Sequence, residues 1–328
     1  MIRFFRGSGA GPVFLLMLAA SALWIGYIIR PPQLNLAADS LQMPLWALIT
    51  QALAGSPSLA VIVSFTLLLA VAIIMIRFNT AIFFIPHRTV LPALIYILLY
   101  SVFPGEMIMN PALPASLLIV AGIWRMITSY RVNGMTFKFF DAALLISSAG
   151  LLYAGAVWFV LLVFIGALIL RSPDMRELAL ALVGALLPWI VMYAVWYITG
   201  GFPGELTEII RHNLFDPVPS VYWSRALVIL LIILGLNFIP SLFSLVKDMP
   251  TYKIRSRKTW ELFLWMIVIC AAAIAFVPAV SAEIAALAAV PVSFIMAGYL
   301  TFTRRVATAE ILLWLMIIML VVTRLWPY

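Results

Sequence analysis

Eleven runs of apolar residues, near 12–29, 57–76, 89–103, 113–130, 140–153, 155–170, 178–199, 225–246, 260–278, 282–301 and 307–325, follow one another along the chain. A helix rises 1.5 Å per residue, so about 20 apolar residues cross a hydrocarbon core. Charged residues make up 10% of the 328 positions and hydrophobic ones 66%. So few charges cannot cover a water-facing surface of that size, and lipid must be the main solvent. The pattern predicts an all-α fold, a polytopic helical membrane protein with about eleven transmembrane helices (range 9–12). It forms one integral membrane domain over residues 1–328. The least defined stretch is 140–170, which reads either as one long helix or as a hairpin turning near Tyr153–Ala156. One helix there would give ten crossings and invert every later orientation.

Basic residues test that count. With a cytoplasmic N-terminus and eleven crossings, only Arg30, Arg211, Arg225 and Arg324 of the 20 Lys and Arg face outward. This strong inward bias is the positive-inside pattern, and it holds only if 140–170 crosses twice. The expected location is a bacterial inner membrane, multi-pass, with the C-terminus extracytoplasmic. The net charge of +8 then reports topology and a match to anionic lipid, and no basic surface interleaved with aromatics suggests nucleic acid. The first 30 residues read as a retained first helix, since their one A-x-A match, Ala20–Ala22, lies inside the apolar run. A lone Cys270, with His87 and His212 expected on opposite faces, argues against a metal site, and no phosphate-loop or dinucleotide motif suggests a cofactor.

Polar chemistry gathers in two outward segments, 30–56 and 200–224. "DSLQMPLWALITQAL" opens with Asp39 as a helix N-cap and carries Leu41, Leu45, Leu48 and Ile49 near helical spacing. "PGELTEIIRHNLF" has Pro203 and Glu205 at a helix start and an apolar stripe of Leu206, Ile209, Ile210 and Leu214. Glu205, Glu208, Arg211 and His212 are accounted for by the solvated face of an interfacial helix. The functional alternative is a cavity roofed by both segments. Arg211 and Arg225 would grip an anionic group there, with His212, Glu208 or Glu106 nearby and Asp39 as the catalytic acid–base group. Glu106 itself, in "FPGEMIMNP", reads as part of a wet hairpin loop.

Elsewhere the residues speak for packing. Arg125 is placed to snorkel to the inner interface, and the alanine-rich Cys270–Phe294 stretch suits close helix approach. The tryptophans, Trp24, Trp46 and Trp260 among them, suit an interfacial belt. The basic loop Lys247–Lys258 suits water and anionic inner-leaflet lipid. No internal repeat is apparent, which disfavours an inverted-repeat transporter.

The stretches "MIRFFRGSGAGPVFLLMLAASALWIGYII", "FNTAIFFIPHRTVLPALIYILLYSVFP" and "FFDAALLISSAGLLYAGAVWFVLLVFIGALILR" resemble an uncharacterised family of multispanning inner-membrane proteins from Bacteroidota. A more distant likeness is to the GT-C fold of glycosyltransferases that use polyprenyl-phosphate sugars. That resemblance implies a catalytic acid in the first outer loop, matched by Asp39 in "NLAADSLQMP", and a phosphate-binding arginine, matched by Arg211 or Arg225. The chain departs from that pattern in lacking paired acids, since Asp39 is the one acid before Glu106. Three functions follow as expectations. The first is handling of a lipid-linked saccharide at the outer face in envelope biogenesis. The second is a non-catalytic scaffold subunit bound to a membrane-protein partner. The third is a transporter or lipid flippase.

Overall fold

A computed structural model describes residues 5–7, 9–31, 41–103, 107–130, 137–170, 175–217, 225–303 and 306–325. The described residues form helices and no strand. In chain order these are α1 (Ala10–Ile29), α2 (Pro44–Leu53), α3 (Pro57–Ile82), α4 (Leu91–Tyr100), α5 (Ala112–Thr128), α6 (Phe137–Gly150), α7 (Val160–Leu170), α8 (Met175–Ile198), α9 (Pro203–Phe215), α10 (Arg225–Asp248), α11 (Ile254–Phe276), α12 (Ala285–Phe302) and α13 (Val306–Leu325). A 3-10 segment, Ala154–Phe159, leads into α7. Proline stands within the first two positions of α2, α3, α4 and α9, where its missing N–H costs no intrahelical bond. Six helices, α1, α3, α8, α10, α11 and α12, are long and apolar enough to cross a membrane.

The 140–170 region is two helices. α6 stops at Gly150, Tyr153 is extended, and α7 packs back against α6. Run 89–103 is not one long helix. Ten residues, every one buried, make α4, about 15 Å of helix and too short to cross alone. The described residues that follow, 101–103 and 107–111, are not helical, and polar backbone there is met from inside the protein. Tyr100 Oη donates to the Met107 carbonyl at 3.0 Å, and Met109 N–H donates to Ser64 Oγ at 3.0 Å, two turns into α3. Non-helical backbone is tolerated at such depth only where protein satisfies it. Glu106, expected in a wet hairpin loop, lies outside the described residues; nearby Val102, Met107 and Ile108 are buried.

Two ends of the bundle differ in chemistry. At one, Thr89 donates to the Phe5 carbonyl at 2.8 Å, Arg6 Nη2 to the Leu300 carbonyl at 2.7 Å, and Lys258 to the Ile169 carbonyl. Beneath them Phe78, Phe84, Trp260, Phe263 and Phe294 join α3, α11 and α12, with ring centroids 4.9 to 6.3 Å apart. This is the basic end. Trp24, Trp46 and Trp260 are buried at 0%, 7% and 2% exposure, which corrects their assignment to an interfacial belt. Each packs its ring among helices; Trp24, for example, meets Phe65 at 5.5 Å. The opposite end carries α2 and α9.

Candidate functional site at the end carrying α2 and α9

α9 forms where the apolar stripe requires. Leu206 is buried, Ile209, Ile210 and Leu214 are partly buried, and Glu205, Glu208 and Arg211 are exposed. α2 departs from its expected start. Its N-cap position is held by Met43, not Asp39, because Pro44 opens the helix. Its buried face is Trp46, Thr50 and Leu53, while Leu48 is exposed. Asp39 lies outside the described residues.

The two segments meet, although about 170 residues separate them in sequence. Asn213 donates from Nδ2 to the Leu41 carbonyl, and Leu45 N–H donates to the Leu151 carbonyl at 3.2 Å. Met43, Trp46 and Ala154 form a small apolar core against Ile49, Met109, Trp189, Ile210 and Leu214. Trp189 is anchored in turn, with Nε1 donating to Ser147 Oγ at 3.0 Å and Ser147 donating to the Ala185 carbonyl. Tyr193 Oη and Thr207 Oγ1, 3.0 Å apart, add a second tie between α8 and α9. A cap of α2 and α9 therefore closes this end of the bundle.

The polar groups on the cap fall into two pairs. Arg211 Nη1 stands 3.8 Å from Glu208 Oε2, beyond hydrogen-bond distance, and both side chains are more than 60% exposed. Such a pair holds the guanidinium weakly, with about 0–1 kcal/mol. His212 Nδ1 lies 2.8 Å from Asp216 Oδ2, with both groups half-exposed. A carboxylate in that position fixes an imidazole's orientation. Arg225 is exposed at the first residue of α10 and makes no ion pair with a described residue. The structure thus brings Glu208, Arg211 and His212 onto one helix beside residue 41, and leaves Asp39 and Glu106 outside the described residues.

A groove of about 320 Å³ runs from the end of α9 between α7 and α11. Phe215, Trp158, Leu161, Ile269, Phe276 and Pro278 line it. Phe215, the last residue of α9, brings the groove to the end of the helix that carries His212; His212 and Asp216 do not themselves line it. Trp158 Nε1 is buried and has no acceptor among the described residues. Reading the sequence alone gave no role to Asp216 as a histidine partner, although the i,i+4 spacing in "HNLFD" is visible. The groove had no local signal, because three distant segments build it. Asn237 Nδ2 donates to the Ile233 carbonyl of its own helix at 2.9 Å, and Arg125 is exposed in the last turn of α5.

Residues 43–326 match the model of a family of unknown function, DUF6427. No curated protein and no solved structure matches the chain.

Proposed function

The chain belongs to DUF6427, a family of unknown function, and from that premise we propose that it is an envelope-biogenesis protein handling a lipid-linked saccharide at the membrane face carrying α2 and α9. In this reading the chain crosses the inner membrane eleven times, with its basic end in the cytoplasm. The inward bias of Lys and Arg supports that orientation. The observation that carries the functional reading is the junction of an apolar groove, lined by Phe215, Trp158 and Phe276, with the polar end of α9. That junction suits an amphiphile with a prenyl chain and an anionic head.

The groove takes the prenyl chain, and Arg211 and Arg225 neutralise the phosphate. Transfer, where it occurs, has Asp39 or His212 remove a proton from the acceptor hydroxyl as its oxygen bonds to the sugar carbon. The sugar–phosphate bond breaks, and the arginines stabilise the departing phosphate. The likeness to the GT-C fold belongs to this proposal.

A photoreactive farnesyl phosphate, added to the purified full chain in detergent, tests it. Label is expected on the peptides carrying Phe215 and Phe276, and Ala272→Trp, which fills the groove, removes it. Label elsewhere, or undiminished in Ala272→Trp, overturns the proposal. Asp39→Ala and His212→Ala distinguish binding from catalysis, since both should keep the label and at least one should abolish glycan transfer.

A further inference from the structure

A larger cavity, of about 600 Å³, lies at the opposite, basic end, between the last turns of α10, the start of α11 and the end of α12. Its polar wall comes from α10 and the following turn: Ser244, Lys247, Asp248 and Tyr252. Ser244 Oγ donates to Asp248 Oδ2 at 3.2 Å, which engages one carboxylate oxygen. Lys247, like Lys253 and Arg255 of the following turn and helix, forms no ion pair with a described residue, whereas Lys258 and Arg257 are engaged. Lys258 donates to the Ile169 carbonyl and lies 5.6 Å from the centre of the Tyr130 ring, and Arg257 pairs with Glu261 at 3.7 Å. Burial, then the negative charge of Asp248, pushes the Tyr252 hydroxyl above the ordinary tyrosine range, so it remains a donor at neutral pH. Trp260, only 2% exposed, lines the cavity, and its Nε1 is buried without an acceptor among the described residues.

The mouth is apolar. Phe243 and Phe302 line it and are 72% and 48% exposed. An exposed cation, Lys247, and a part-buried neutral hydroxyl donor, Tyr252, therefore share this cavity with an exposed aromatic rim. Water-soluble anions use the first set and have no use for the rim. An amphiphile uses both.

We propose that this cavity is a binding site for one anionic glycerophospholipid, with the phosphate at Lys247 and Tyr252, headgroup hydroxyls toward Asp248, and acyl chains along Phe243 and Phe302. Asp248 repels a bare phosphate but accepts from a headgroup bearing hydroxyls, which favours phosphoglycerol. Surplus positive charge in Lys247–Lys258 adds attraction toward an anionic leaflet. This site is independent of the groove at the other end.

The test measures thermal stabilisation of the purified full chain in detergent by phosphatidylglycerol, phosphatidylcholine or inorganic phosphate. Stabilisation by phosphatidylglycerol alone is expected. Lys247→Glu and, separately, the cavity-filling Ser244→Phe should each lower the apparent affinity by roughly tenfold or more, as expected where a charge-assisted contact or the binding space is removed. Arg176→Glu, on an exposed basic residue of α8, should leave it unchanged. Equal stabilisation by phosphatidylcholine or by inorganic phosphate overturns the proposal. So does a wild-type response in either cavity variant, or loss of the response in Arg176→Glu, which would assign the effect to general surface charge.

Discussion

Replacing Gly184 by alanine should separate two helices on which the cap depends. Gly184 lies on α8 where it crosses α6, and a Cβ there would stand 2.6 Å from the Phe140 carbonyl oxygen and 3.1 Å from its Cδ2. The nearest atom belongs to backbone, so relief requires moving α6 itself. Overpacking of this kind costs about 1–3 kcal/mol, and the gain in helix propensity returns at most about 1 kcal/mol. Because the clash is with backbone, the cost lies toward the upper end of that range and the net loss reaches about 2 kcal/mol, which lowers the melting temperature of a chain this long by up to about 3 °C. The chain supplies its own reporter, since its single cysteine, Cys270, is buried and becomes available to a thiol-reactive dye on unfolding. Gly26→Ala is the control, because nothing lies within 4 Å of a Cβ at that position. It should melt with the wild type or slightly above. A Gly184→Ala protein that melts at or above the wild-type temperature, in the same scan, would refute the close-packed α6–α8 seam.

Trp46→Ala removes the centre of the small core beneath the cap. In a closed core the change costs about 3–5 kcal/mol, enough to open α9 locally before the bundle unfolds. A thiol introduced as Ile210→Cys, with Cys270→Ser, should then label faster than in the Trp46 parent, and equal rates would contradict the packing. Arg211→Ala should change stability by less than about 0.5 kcal/mol in denaturant titrations, because its pair with Glu208 is loose and exposed. Tyr252 has its ionisation pushed upward on folding, so its contribution to stability is complete below about pH 10 and is lost as pH rises through the folded value. The stability difference between wild type and Tyr252→Phe should therefore be flat from pH 7 to 9 and move against the wild type at higher pH; a difference that is constant throughout would contradict the burial.

Apolar length made the all-helical architecture with its candidate membrane-spanning helices legible, and the α9 stripe of Leu206, Ile209, Ile210 and Leu214 was read nearly as it folds. The break within 140–170 was also legible, with a turn expected near Tyr153–Ala156 and found between Gly150 and Val160. Two features were not legible, each for a physical reason. α4 and the buried backbone after it look like a crossing because burial in protein and burial in lipid select the same residues. The start of α2 was misplaced because Asp39 is a stronger N-cap residue than Met43, whereas Pro44 decides the matter. At the candidate site, Glu208, Arg211 and His212 were visible as charges on one helix. Their neighbours Phe215, Trp158 and Phe276 were not, since only the folded chain assembles them.

The most direct measurement is a cryo-electron microscopy map of the full chain in nanodiscs with added undecaprenyl phosphate. The account predicts elongated density in the groove beside Trp158, Phe215 and Phe276, with the phosphate at the end of α9 near Arg211 and His212. A groove holding only bulk lipid or detergent under saturating undecaprenyl phosphate, with α2 and α9 apart, would contradict it.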